Sequence, residues 1–264
     1  MENNIAQAAR WLLDAHDRRE RLAAIPQSFR PRDADEAYAV QDAFVALKRA
    51  RHGALAGHKI ALTTPQMRRM AGLDDSIAGA VLSGQVHRAP AVVRAADFVH
   101  LIVEFEIACE LGADLPAAGA PYTRERVAQA VAALRPAFEL ADDRRADYAR
   151  LAEHSVELIA DNAWNEGAVL GEPMRDWRTL DLVSVRGAAS LNGAPVGEGR
   201  GGDVMGHPFE ALAWVANNLA RRGQALRAGE FVITGSLVTS KFPEPGDRVR
   251  FELDAIGAIE MRVE

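Results

Sequence analysis

Hydrophobic positions recur at helical spacing through the first fifty residues. Ile5, Ala8, Ala9, Leu12 and Leu13 make one apolar stripe, and Ala37, Val40, Phe44 and Leu47 make a second. Two amphipathic helices are predicted from them. Pro26 and Pro31 mark the connector, and Asp33 or Asp35 supplies the second helix with its cap. Thr64-Pro65 reads as the start of a short helix that Gly72 ends.

The period then changes. Residues 98–107 are rich in β-formers and alternate at their end, which predicts a strand. A helix is expected over about 123–134, closed by Pro136, then a short strand at Ala137–Leu140. Leu151, Ser155, Leu158 and Ile159 suggest a further helix. Asn192-Gly193, between residues 183–191 and 194–196, reads as the tight turn of a hairpin. Phe209, Leu212, Val215, Ala216 and Leu219 line one side of a helix stopped by Gly223, and strands are expected at 231–234, 249–253 and 259–263. Helices first, then strands with a few helices between them, fit an α+β fold better than regular βαβ alternation. No repeat or linker divides the chain. A single domain over 1–264 is expected, mainly helical over 1–75 and β-rich over 76–264.

Carboxylates then carry the candidate chemistry. On a strand, Glu104 and Glu106 point to one face, while Val103, Phe105 and Ile107 point to the other. Two carboxylates one pleat apart can converge on a hard divalent cation, and Glu139 offers a third from apolar surroundings where an unpaired charge is costly. Spacing alone leaves plainer readings open: a wet strand face for Glu104 and Glu106, and an ion pair with Arg135 for Glu139. Lys59 lies in the apolar stretch Gly57–Leu62, where desolvation would lower its pKa and suit it to proton transfer; a snorkelling surface lysine is the alternative. His58, His100 and His154 have no metal-ligand spacing and read as structural. The glycine-rich segment 199–206 matches no nucleotide motif. Thr234-Gly235-Ser236, at a strand end, offers donors to a substrate carboxylate.

Composition narrows the classes. In 264 residues the net charge is -6, and no basic cluster suits a nucleic acid. The one cysteine, Cys109, cannot form an internal disulfide and reads as buried filler. With neither a signal-like N-terminus nor a membrane-length apolar run, the cytoplasm is expected.

Several segments together resemble the 2-keto-4-pentenoate hydratase / 4-oxalocrotonate decarboxylase family of the fumarylacetoacetase superfamily. They are residues 57–63 (GHKIALT), 103–108 (VEFEIA), 160–163 (ADNA) and 213–217 (AWVAN), followed by Gly229-Glu230 and Thr234-Gly235-Ser236. The resemblance runs in order from about residue 5 to the C-terminus. It implies a mixed β-roll, barrel-like core of the fumarylacetoacetase C-terminal type with an N-terminal helical part. It also implies Mg2+ or Mn2+ held by Glu104, Glu106 and Glu139, with Lys59 as the active-site lysine, and a homo-oligomer. The implied substrates are small 2-oxo acids, 2-hydroxydienoates or 2-oxo-enoates from aromatic ring cleavage.

The chain departs from the family pattern twice. The acidic residue usual two positions before Gly79 is replaced by Ile77, although Asp74 and Asp75 lie close, and Asp75 is the catalytic candidate there. The serine after Ala-Asp-Asn-Ala is replaced by Trp164. Leu73, Ile77 and Trp164 are therefore expected to shape the substrate pocket. The implied reaction is hydration through a metal-bound enolate to a 4-hydroxy-2-oxo acid, with decarboxylation of a 2-oxo-enedioate as the alternative. Tautomerisation, acylpyruvate hydrolysis and a non-catalytic relative follow behind.

Overall fold

In a computed structural model describing residues 2–264, the two N-terminal stripes become helices α1 (Glu2–Asp17) and α2 (Ala34–His52). Asp33 is the cap of the second, accepting from the Glu36 N–H. Their buried residues, among them Ala8, Leu12, Ala37 and Phe44, share one cluster with Ile77, Ile102, Ala141 and Trp164. The helices thus cover a sheet face instead of forming a separate unit.

Next come β1 (Leu55–Ala61), α3 (Pro65–Ala71), β2 (Ile77–Leu82), β3 (Val86–Arg88), β4 (Ala91–Val93) and β5 (Leu101–Leu111). The Thr64 hydroxyl caps α3, and Gly72 ends it in the left-handed conformation. One expectation fails at the following helix. α4 (Arg124–Ala130) stops four residues early, and Val131 to Leu134 open β6 (Val131–Asp142) instead. Val131, Ala133 and Leu134 are buried against β5, so tertiary pairing outweighs the local helical run. Pro136 lies within this strand opposite Ile107, and its carbonyl accepts from the Gly171 N–H.

The chain continues through α5 (Ser155–Ala160), β7 (Asn165–Leu170), β8 (Arg186–Leu191), β9 (Ala194–Arg200) and α6 (Pro208–Arg221). It closes with β10 (Phe231–Ile233), β11 (Val238–Lys241), β12 (Arg248–Leu253) and β13 (Gly257–Val263). Asn192 and Gly193 take the positive φ values the hairpin between β8 and β9 requires, 54° and 82°. The larger sheet runs β2-β1-β10-β5-β6-β7-β3, with β11 also paired to β5; the smaller runs β4-β13-β12-β8-β9. Both mix parallel and antiparallel pairs, the α+β architecture expected.

Strand alternation gives the larger sheet two different faces. Ile60, Phe105, Ile107, Cys109, Phe138, Val169 and Val232 turn toward the smaller sheet and α6 in the main core. Cys109 is fully buried there, and burial pushes its thiol pKa up, which suits filler and not a nucleophile. The opposite face carries a smaller apolar cluster of Val81, Ala108, Ala137, Ala168, Phe231 and Ile233. Lys59 and the three glutamates fall on this second face. Among the described residues no helix is long and apolar enough to cross a membrane.

Candidate active site

β5 and β6 pair with Glu104 directly opposite Glu139 and Glu106 opposite Ala137. The pleat sends all three carboxylates to one side, and one oxygen from each lies within 4.8 Å of the others. Glu106 and Glu139 are fully buried and Glu104 half-buried, so this is no wet strand face. Arg135 pairs with Glu110 instead of Glu139. The partner of Glu139 is Lys59, whose Nζ lies 3.0 Å from Oε1.

Each carboxylate is clamped by one oxygen. The Ser240 hydroxyl donates to Glu104 Oε1 at 2.7 Å, and the Gly235 N–H to Glu106 Oε2 at 2.6 Å. Glu139 Oε1 accepts from Asn165 Nδ2 at 3.0 Å as well as from Lys59. Glu106 Oε1 and Glu139 Oε2 are left buried with no partner among the described residues. Burying unpaired carboxylate oxygens is costly, and here three acidic groups face one ammonium. A divalent cation with oxygen-rich coordination fits this donor set.

The electrostatics point the same way. Burial, then Glu139 and Glu104, raise the Glu106 pKa well above the carboxylate range. Burial also lifts Glu139 to about 7, against the pull of Lys59. Lys59 itself corrects an expectation. Burial alone would lower its pKa, but Glu139, Glu104 and Glu106 overturn that, and the net shift is upward. The amine is desolvated as the apolar sequence suggested, yet the carboxylates hold its proton on.

A left-handed turn sets one wall. Asn162, Ala163 and Trp164 have successive φ values of 55°, 49° and 63°, each unfavourable for a residue with a side chain, by roughly 1–2 kcal/mol. Asn162 holds the turn onto β2, its amide exchanging hydrogen bonds of 2.7 and 2.8 Å with the Ala80 backbone. Gly79, in register with Lys59, makes room: a Cβ there would meet the Asn162 carbonyl at 2.5 Å. The turn delivers Asn165 to Glu139 and the Trp164 ring to Tyr148, edge-on at 6.0 Å.

Other candidates land differently. Asp75 is exposed and accepts from Trp214 Nε1 of α6, the helix on the reverse face, and from the Ser76 N–H; its hydrogen bonds do not tie it to the carboxylates. Thr234 and Ser236 donate their hydroxyls to backbone carbonyls of Ile107 and Val238, and Gly235 serves Glu106. That strand end anchors the site and presents no free hydroxyl for docking. Ile77 is buried one pleat from the Lys59–Gly79 pair, in the apolar cluster that includes Trp164 and borders Leu73. Asn165, Ser240 and Tyr148 escaped the sequence reading. The pattern Val-Thr-Ser-Lys could have placed Ser240 on a strand, but nothing marks Asn165. Two clefts, of about 310 and 460 Å3, lie away from the carboxylates, one beside α1 and His16, the other between α2 and the loop after α6.

Residues 69–264 match the fumarylacetoacetate (FAA) hydrolase C-terminal family. Over 258 residues the chain is 30% identical to a 2-keto-4-pentenoate hydratase of Paraburkholderia xenovorans, covering 98% of this chain and 94% of that protein. It is 28% identical to a 4-oxalocrotonate decarboxylase of Pseudomonas putida over 227 residues, 86% and 84% of the two chains. A solved structure of 4-oxalocrotonate decarboxylase from Pseudomonas putida G7, complexed with magnesium and adipate, superposes with a TM-score of 0.90 at 25% identity. That match covers 100% of this chain and 98% of the other. With the matched region, the full-length likeness and the carboxylate face in agreement, the chain belongs to the fumarylacetoacetate hydrolase C-terminal family.

Proposed function

We propose that this chain is a divalent-metal-dependent lyase that hydrates a small 2-hydroxydienoate or 2-oxo-enoate to a 4-hydroxy-2-oxo acid. The observation that carries the reading is the convergence of half-buried Glu104 with buried Glu106 and Glu139, and Lys59 at 3.0 Å from Glu139. Likeness to hydratases supports water addition. Likeness to the decarboxylases, in sequence and fold, supports a second reading, loss of CO2 from a 2-oxo-enedioate. Mg2+ or Mn2+ is the proposed cation, since all three donors are hard oxygens. The one free, buried cysteine supports a reducing, cytoplasmic setting, and the family resemblance supports a homo-oligomer acting in aromatic catabolism.

A bound divalent cation supplies positive charge that favours the enol form of a 2-oxo acid. The chain's own residues supply the proton traffic. Lys59, whose Nζ lies 3.0 Å from Glu139 Oε1, gives its proton to the far end of the dienol and takes one back as the enol hydroxyl becomes the 2-oxo group. Water then adds across the remaining conjugated double bond, oxygen at C4 and hydrogen at C3. For an enedioate, CO2 loss leaves a dienol of the same kind, and Lys59 has the same proton to deliver. Ile77, Ile102 and Trp164 make the flanking wall apolar, which keeps bulk water from the intermediate.

An ultraviolet assay with Mg2+ against a panel of 2-hydroxydienoates and 2-oxo-enedioates, products identified by NMR, tests both readings. Hydration of at least one dienoate is expected, with turnover falling to background on chelation and in Glu106→Gln. Full turnover by Glu106→Gln at limiting metal would overturn the ligand assignment.

A further inference from the structure

Glu139 is the only one of the three carboxylates asked to serve two groups at once, an amine and a cation. A free carboxylate rotates about its last bond, so one oxygen cannot be reserved for each without a second constraint. Asn165 supplies that constraint. Its Nδ2 donates to Glu139 Oε1 at 3.0 Å, the same oxygen that lies 3.0 Å from Lys59 Nζ. Glu139 Oε2 has no partner among the described residues.

Resting on the metal-centre reading above, we infer that Asn165 is a positioning residue that assigns Glu139 Oε1 to Lys59 and leaves Oε2 for the cation. The left-handed turn is the device that places it. Asn162 is bolted to Ala80 of β2, the strand beside Lys59, and three residues later the chain enters β7 beside Glu139. Asn165 is 1 % exposed, and the other acceptor its Nδ2 meets, the Gly167 carbonyl, lies farther off at 3.3 Å. Groups that orient metal ligands from behind commonly govern affinity by 10- to 100-fold.

The test replaces the amide by a group of similar size that cannot donate. In Asn165→Leu, Mn2+ affinity, followed by the electron paramagnetic resonance signal of free Mn2+, is expected to weaken by about tenfold or more. The spectrum of bound Mn2+ should broaden as Glu139 loses its fixed orientation, while the apo-protein's unfolding midpoint stays close to the parent's. With an active substrate, kcat is expected to fall by more than KM rises, because Lys59 loses its registered partner. Affinity within twofold of the parent and an unchanged spectrum would overturn the inference. Asn165→Ser, too short to reach Glu139, serves if the leucine variant does not fold, with the same expected loss and the same contrary result. A parent that binds no Mn2+ would sink the metal-centre reading along with this one. A parent that binds tightly beside a variant that binds equally tightly would sink only the role of Asn165.

Discussion

Two buried charge clusters flank the larger sheet, and they are built to different rules. In one, His16, Lys48 and Arg144 surround Asp161 and Glu166. Asp161 gives one oxygen to His16 and the other to Arg144, both at 2.5 Å, and Glu166 takes Lys48 at 2.6 and 2.7 Å along with Gln85 at 2.9 Å. Cations outnumber anions, and every oxygen of the two carboxylates has a donor; the buried atom left over, Arg144 Nε, is itself a donor. In the other, Glu104, Glu106 and Glu139 face Lys59 alone, with buried oxygens to spare. The first cluster is electrostatically finished and holds α1 and α2 to the sheet. The second is unfinished, and what it lacks is positive charge. Burial of charge by itself does not mark a site; incomplete neutralisation does.

That contrast predicts opposite responses to removing one carboxylate charge. Asp161→Asn strands the fully buried Arg144 guanidinium and is expected to cost about 3–5 kcal/mol of stability. Glu106→Gln, which replaces a carboxyl that burial and its acidic neighbours already bias toward the protonated form, should leave the apo-protein as stable as the parent or more so. Denaturant unfolding of both variants without metal checks the pair, and equal destabilisation would erase the distinction.

The finished cluster also has a pH signature. Burial opposes charge on His16, but Asp161 and Glu166 outweigh it and push its pKa from 6.5 up to about 9. A group whose folded pKa is raised stabilises fully below its unfolded value and loses that contribution as pH rises through the folded one. Stability is therefore expected to fall between about pH 6.5 and 9 by on the order of 3 kcal/mol. Unfolding midpoints at the two ends measure it, and His16→Leu should flatten the slope.

The unfinished cluster responds through chemistry. Lys59→Ala is expected to leave Mn2+ affinity within a few-fold of the parent and slow turnover by roughly 100-fold. A loss under about threefold would remove Lys59 from proton transfer.

These clusters differ in how far the sequence discloses them. Glu104 and Glu106 are legible because a two-residue period on a strand fixes a shared face before any tertiary contact is known. Helices α1, α2 and α6 and the Asn192-Gly193 hairpin are legible for the same reason, a local period or local turn chemistry. β2 and β7 are not, because β2 is buried on both faces and β7 at most of its positions, so neither gives a clear alternation. The opening of β6 was hidden by a helical run that continues into it. The direction of the Lys59 shift needed its partners: an apolar neighbourhood predicts desolvation, but only folding brings up the carboxylates that reverse it. Asn165 is the extreme case. Its role depends on a left-handed turn of three residues with side chains, a conformation no local preference announces.

Glu104, Glu106 and Glu139 are proposed to form one cation centre. Anomalous diffraction from crystals soaked in Mn2+ tests it directly. The expected result is a single strong peak between the three side chains, touching Glu106 Oε1 and Glu139 Oε2 while Lys59 stays on Oε1. A peak elsewhere with these carboxylates metal-free, or side chains turned apart, would contradict it.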